Sequence, residues 1–208
     1  QLSFYYKDRV LVDTCCGSGT IPIEAALIAR NIAPGLSRKF AAENWEIIDS
    51  DIWKEERKNA FEAADFDTPL NVTGMDIDRR AVNAAKANAD EAGVIDDIDF
   101  VCKDMIEWQI GGGIPKGITP DEYGVVISNL PYGIRIGEEK GLKAIYAHFK
   151  ELMETCPNWS FFLITADKNL EKEIGRKADR RRKLYNGQIE TQFYQFHGNR
   201  PKSRKNEG

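Results

Sequence analysis

Residues 9–20 read "RVLVDTCCGSGT": a β-branched apolar run, an acid, and then a turn built from small residues and two glycines. The run is short, apolar and bounded by a turn signal, which predicts a buried strand. Beyond the turn, Ile21, Ile23, Ala26, Leu27 and Ala29 follow a helical pattern. Thr20 is the predicted N-cap and Pro22 falls in the first turn. A tight glycine turn between a strand and a helix leaves backbone N–H groups pointing at a ligand. This one is no dinucleotide fingerprint. Pro22 stands where G-x-G-x-x-G needs its third glycine, and the next strand-end acid, Asp76, comes 57 residues after Gly19 rather than about 20. No G-K-[ST] follows, so it is no phosphate loop either. Taken alone, the turn is open to a ligand role and to a purely structural one.

Working outward, "NVTGMDI" (71–77), "IDFVCKD" (98–104), "YGVVIS" (123–128) and "SFFLIT" (160–165) are further strand signals. The second leads into a helix whose Ala81, Val82, Ala85, Ala89 and Ala92 share one face, ended by Gly93. A helix is expected from about Leu142 to Cys156, and a charged, helical insertion at about 35–70. The segment 111–122 is a loop by composition. "RKLYNGQIETQFYQF" gives two alternating runs around Asn186-Gly187, a hairpin signal. The expected fold is therefore α/β: a doubly wound, mostly parallel sheet of seven strands that ends in an antiparallel hairpin.

The 208 residues, 42% hydrophobic and 30% charged, suit one globular domain spanning 1–208. No apolar run approaches the roughly 18 residues that span a membrane, and no signal peptide opens the chain. The four cysteines form no C-x-x-C pair, so no metal site is expected, and free thiols in a reducing cytoplasm follow. Charge is uneven: residues 176–208 carry +7, with a basic tail at about 198–208, and the rest carries −11. Such a segment is either a solvated end or a contact for a polyanion such as nucleic acid.

The strand ends line up. The glycine turn follows the first strand, Asp76 ends the second and Asp104 the third, while the fourth runs into "SNLPYG" (128–133). One acid can accept from ribose hydroxyls and another from an adenine amino group. Each is also a plain strand end or helix cap, and Asp78 is the expected cap of the second helix. Asn and Pro in "SNLPYG" are common turn formers too.

Together, "DTCCGSGTIPIEAA", "GMDIDRRAVNAAKANADEAGV", "CKDM" and "SNLPYG" resemble a class I, Rossmann-like S-adenosylmethionine-dependent methyltransferase of the amino-group-modifying type. The resemblance is to the large-subunit ribosomal RNA guanine-N2 methyltransferases, whose catalytic domain follows an RNA-binding THUMP domain. Only 12 residues precede Asp13, so the resemblance implies an excised domain or a truncated relative. It implies S-adenosylmethionine as cofactor and ribosomal RNA, or another nucleic acid, as partner. Asp13 with the turn Cys16, Gly17, Ser18, Gly19 and Thr20 would approach the methionine portion. Asp76 would hold the ribose, with Ile77 against the adenine, and Asp104 beside Met105 would bind the adenine amino group. Asn129, Leu130, Pro131 and Tyr132 would be the catalytic tetrad, with Asn129 also bordering the cofactor. Two positions depart from the family pattern: Thr14 replaces a proline, and Leu130 replaces the first proline of Asn-Pro-Pro-Tyr.

That tetrad suits a poor nucleophile. The lone pair of a base amino group is delocalised into the ring, so two acceptors, the Asn129 side chain and the residue-130 carbonyl, would pull it toward tetrahedral geometry. Pro131 fixes φ, and Tyr132 offers a ring on which an extruded base can stack. The rival readings are adenine-N6 methylation of DNA or RNA and a catalytically silent nucleic-acid-binding module. A nicotinamide-dependent dehydrogenase is disfavoured by Pro22 and by the acid spacing. His148, His197, Arg135, Cys15 and Cys16 are expected to be structural or solvated.

Overall fold

An apolar run with no polar face needs cover on both sides, and the sheet gives it that. The computed structural model describes residues 3, 5–132 and 138–200. Strand β1, Val10–Asp13, is buried along its whole length. Helix α1, Thr20–Ala29, and helix α2, Ser50–Glu62, follow. Next come β2, Val72–Asp76, helix α3, Arg79–Glu91, and β3, Ile98–Cys102. Strand β4 is Gly124–Asn129, helix α4 is Glu138–Thr155 and β5 is Ser160–Thr165. A short helix α5, Leu170–Ile174, precedes the hairpin of β6, Arg180–Asn186, and β7, Ile189–Phe196.

The seven strands lie in the order β3-β2-β1-β4-β5-β7-β6. Strands β1 to β5 are mutually parallel, and β7 and β6 add antiparallel at one edge. Alternate residues of the strands serve two layers. Leu11, Val72, Ile98 and Phe100 pack with Ala25, Ala26, Val82 and Ala85 of α1 and α3. Val10, Val12, Val126, Phe161 and Leu163 pack with Tyr146, Phe149, Leu152 and Met153 of α4 and with Leu170 and Ile174 of α5. The chain winds outward from β1 in one direction and from β4 in the other. Their carboxyl ends therefore bound the crevice where such sheets take ligands.

Local details differ from expectation for physical reasons. Gly19, not Thr20, caps α1: its φ of 87° lies in the left-handed region, and no side chain bonds to the helix end. Within the insertion only Ala41–Asn44 (a 3₁₀ turn) and Ser50–Glu62 are helical, because the Asp49 carboxylate accepts from Asp51 N and starts the helix late. Helix α4 begins at Glu138, before the expected Leu142. At the hairpin, Asn186 still pairs with Ile189, so Gly187 (φ 59°) and Gln188 form the turn, one residue beyond Asn186-Gly187. Asp78 caps α3 as expected, accepting from Arg80 N.

Candidate active site

Asp13 ends β1 only 1% exposed. Its Oδ1 accepts from Cys15 N at 3.1 Å, and its Oδ2 is buried with no partner among the described residues. Burial pushes its carboxyl up to about 7; the Cys15 N–H and the nearby Ser128 hydroxyl oppose this, and the Asp76 charge adds to it. The turn then folds over β2. Cys16 N donates to Met75 O at 2.8 Å, and Gly17 N donates to Asp76 Oδ2 at 2.9 Å. Gly17 has φ 53°, and a Cβ built there meets nothing within 4 Å, so the space above it is open. A Cβ on Gly19 would lie 2.9 Å from that of Ala85, so close packing of the turn on α3 also requires glycine there. Ser18 is exposed and its carbonyl accepts from Asn88 Nδ2 at 2.9 Å.

Asp76 also accepts from Asp78 N at 2.9 Å, which leaves each carboxylate oxygen with spare acceptor capacity. Ile77, beside it, is 67% exposed, an apolar side chain left in the open at the crevice. Asp104 lies two residues past β3 and caps the 3₁₀ turn Met105–Glu107 through Ile106 N. Met105 itself points inward, 4% exposed within the core, so its side chain does not line the open crevice beside Asp104.

The end of β4 is tied to its neighbours on both sides. Thr14 N donates to Ser128 Oγ at 2.8 Å, and the two hydroxyls lie 2.9 Å apart. A proline at position 14 has no N–H to give, so the departure from the family pattern adds a stitch between β1 and β4. Leu130 does the same on the other side. Its N–H donates to Ile164 O at 2.9 Å, extending the β5 ladder, while its side chain is buried at 1% exposure. Asn129 is exposed between these anchors, and its Oδ1 accepts from the Tyr132 hydroxyl at 3.0 Å. That hydroxyl in turn accepts from Asn186 Nδ2 at 2.9 Å, from the tip of the edge hairpin. The sequence alone does not mark Thr14, Ser128 and Asn186 as site residues, since no local spacing links positions so far apart.

The family model described as "UPF0020: RMKL-like, methyltransferase domain" matches residues 1–195. The chain belongs to this family of methyltransferase domains. Over all 208 residues it is 43% identical to YpsC of Bacillus subtilis, provisionally named an RNA methyltransferase, and spans 52% of that protein. It is 37% identical over 188 residues to ribosomal RNA large subunit methyltransferase K/L of Shewanella amazonensis, covering 88% of this chain and 25% of that one. Two solved structures, each 40% identical, superpose well. SMU.472, a provisionally assigned methyltransferase complexed with S-adenosylhomocysteine, gives a TM-score of 0.87 over 97% of this chain and 51% of its own. A Listeria monocytogenes protein, named a predicted N6-adenine-specific DNA methylase, gives 0.84 over 95% and 49%. The methyltransferase domain thus spans about half the length of YpsC and a quarter of the K/L protein.

Elsewhere in the methyltransferase domain, His148 is buried on α4 with Nε2 2.7 Å from Trp108 O, a structural role. His197 follows β7, with its N–H on Asp179 Oδ2 and its ring against Phe162, away from the crevice. Burial, reinforced by the Asp13 charge, pushes the Cys15 and Cys16 thiols up to about 12, which leaves them poor nucleophiles. A groove of about 1770 Å³, lined by Tyr6, Arg9, Tyr123, Arg180 and His197, opens at the other end of the strands.

The basic segment is divided by β6 rather than gathered beside the tetrad. Arg181 pairs with Glu171 and Lys183 with Glu190, whereas Arg180 and Arg182 face the opposite side with no ion pair among the described residues. Arg182 registers with Phe193, Phe193 with Ile164, and Ile164 with Asn129, so it lies level with the tetrad but three strands away, roughly 14 Å. Arg135 and Lys202, Arg204 and Lys205 lie outside the described residues.

Proposed function

We propose that this chain is the catalytic domain of a methyltransferase acting on the exocyclic amino group of a base in RNA, and that its target is guanine N2 of 23S ribosomal RNA. S-adenosylmethionine is the cofactor, and the residues present fit it. The buried, unpartnered Asp13 Oδ2 suits its ammonium group, and the open face of Gly17 leaves room for its methionine portion. Asp76 retains acceptor sites for two ribose hydroxyls, Ile77 offers an apolar contact for adenine, and Asp104 offers an acceptor for the adenine amino group. When bound, this cofactor supplies an electrophilic methyl group on a sulfonium centre.

The chain's own contribution is positioning and electrostatics. Asn129 Oδ1 and the Leu130 carbonyl accept the two N–H bonds of the base amino group and localise its lone pair. Pro131 limits the backbone freedom of that carbonyl. Tyr132 holds the extruded base by stacking. No strong general base is required, because the nitrogen becomes acidic only as it is alkylated. Alignment of the two reacting atoms supplies most of the rate.

The observation that carries this reading is the meeting of the Asp13–Thr20 turn and the Asn129–Tyr132 tetrad at the β1/β4 crevice, joined through Thr14 and Ser128. The names of YpsC and the K/L protein support RNA, in keeping with a cytoplasmic enzyme. The name of the Listeria protein favours adenine N6 as the second reading. Incubating transcribed 23S ribosomal RNA, and separately DNA, with labelled cofactor and then analysing the nucleosides decides between them. N2-methylguanosine is expected. N6-methyladenosine transfers the assignment to the second reading, and cofactor binding with no transfer to either substrate leaves a silent binding module.

A further inference from the structure

A hairpin needs only its turn residues and its ladder to close, and this one has both in Gly187-Gln188 and the Asn186–Ile189 pair. The Asn186 side chain does something else. Its Nδ2 donates to the hydroxyl of Tyr132, 54 positions earlier, at 2.9 Å. The same hydroxyl donates to Asn129 Oδ1 at 3.0 Å. These three side chains come from the sheet's edge, from a loop and from a central strand.

The direction of this chain of hydrogen bonds follows from how the Asn186 amide is set, with its NH2 toward the hydroxyl. An amide NH2 can only donate, and a tyrosine hydroxyl has one proton. Once Asn186 donates to the hydroxyl, the Tyr132 proton is free only for Asn129, and Asn129 must present oxygen to receive it. If Asn186 is absent, the hydroxyl can accept from Asn129 Nδ2 instead. The Asn129 amide then turns over and shows N–H groups to a base amino group that also carries N–H groups. Donor facing donor gives no hold on the nucleophile.

We propose that Asn186 is a positioning residue that fixes the polarity of the Asn186–Tyr132–Asn129 chain and so keeps the Asn129 oxygen turned toward the incoming base. It also restrains the Tyr132 ring, whose hydroxyl is held from two sides. The proposal rests on the reading of Asn129–Tyr132 as the catalytic tetrad. Asn186 and Asn129 are exposed, so substitutions there leave the core intact.

The test uses Asn186→Ala, Asn186→Asp and Tyr132→Phe in the full chain, with transcribed 23S ribosomal RNA and labelled S-adenosylmethionine. Asn186→Ala should lower kcat about tenfold, the size of one lost hydrogen bond, with S-adenosylhomocysteine affinity unchanged. Asn186→Asp should be worse than alanine at pH 7.5, because a carboxylate accepts from Tyr132 and reverses the chain. Measured as a ratio to the wild type at the same pH, with saturating cofactor, its kcat should recover as the introduced carboxyl protonates toward about pH 4. In a Tyr132→Phe background neither change should have further effect. An independent readout is the ¹⁵N side-chain amide signal of Asn129, which should shift in both Asn186→Asp and Tyr132→Phe without any RNA present. An unmoved Asn129 signal in Asn186→Asp, or full additivity with Tyr132→Phe, overturns the proposal. Asn129→Ala turning over at the wild-type rate sinks the tetrad instead. An inactive Asn129→Ala together with fully active Asn186 variants sinks only the role of Asn186.

Discussion

Asp13 should make the stability and the cofactor affinity of this chain run in opposite directions with pH. Its carboxyl is held at about 7 in the fold, against an ordinary 3.8, chiefly by burial. Between those values the folded chain keeps a proton that the unfolded chain has lost. Stability is therefore full below about pH 4, falls as pH rises, and levels off above about pH 7. At 1.36 kcal/mol per pH unit the whole loss is about 4 kcal/mol, of which about 3 kcal/mol falls between pH 5 and pH 8. Asp13→Asn keeps the shape and removes the ionisation. Urea unfolding at the two pH values should show the variant gaining about 3 kcal/mol on the wild type from pH 5 to pH 8. Affinity for S-adenosylhomocysteine should show the reverse trend, because its ammonium pairs with the ionised carboxylate. Calorimetry should find binding tightening by up to about tenfold per pH unit from pH 5 to pH 7 in the wild type and staying flat in the variant. Parallel stability profiles for the two chains would refute the reasoning, since Asp13 would then ionise as a solvated acid does.

The remaining expectations are more direct. Asp76→Ala should weaken S-adenosylhomocysteine binding about tenfold or more, the loss of a charged acceptor of about 1.5–3 kcal/mol; unchanged affinity by calorimetry removes Asp76 from the site. Asn129→Ala should abolish single-turnover methylation while cofactor affinity stays within a few-fold, and a near wild-type rate counts against the tetrad. Arg180→Glu with Arg182→Glu, two residues of β6 that form no ion pair among the described residues, should weaken all RNAs alike and flatten the salt dependence by about 1.4 log units. If affinity and slope are untouched in filter binding, that strand is plain surface. Arg30 is buried against Asp97 and also bonds the carbonyls of Asp65 and Thr68, where the insertion returns to the body. Arg30→Ala should cost about 3 kcal/mol in urea unfolding, and a loss below 1 kcal/mol would mean that the insertion holds without it.

Much of this protein was legible in its sequence because the deciding signals are local. "RVLVDT" has nowhere to go but a buried strand, "GSG" can take the φ values a tight turn needs, and Asp78 reaches its own helix N-terminus two residues away. Likewise the "NG" pair announced a hairpin to within one residue, since turn chemistry acts over four residues. Tertiary structure decided everything that depends on distance along the chain. Which strands flank β1 sets where the crevice opens, and strand order comes from long-range packing rather than from the periodicity of any strand. Thr14 and Leu130 look in sequence like losses of proline. Only the neighbouring strands, with Ser128 Oγ on one side and Ile164 O on the other, turn their N–H groups into anchors. Nor does any spacing foretell that Asn186 meets Tyr132, because their contact exists only once the edge hairpin is laid beside β5. Asp13 is the sharpest case. Its place at a strand end is written in six residues, but its elevated carboxyl is a property of the dielectric around it, and that is made by the whole fold.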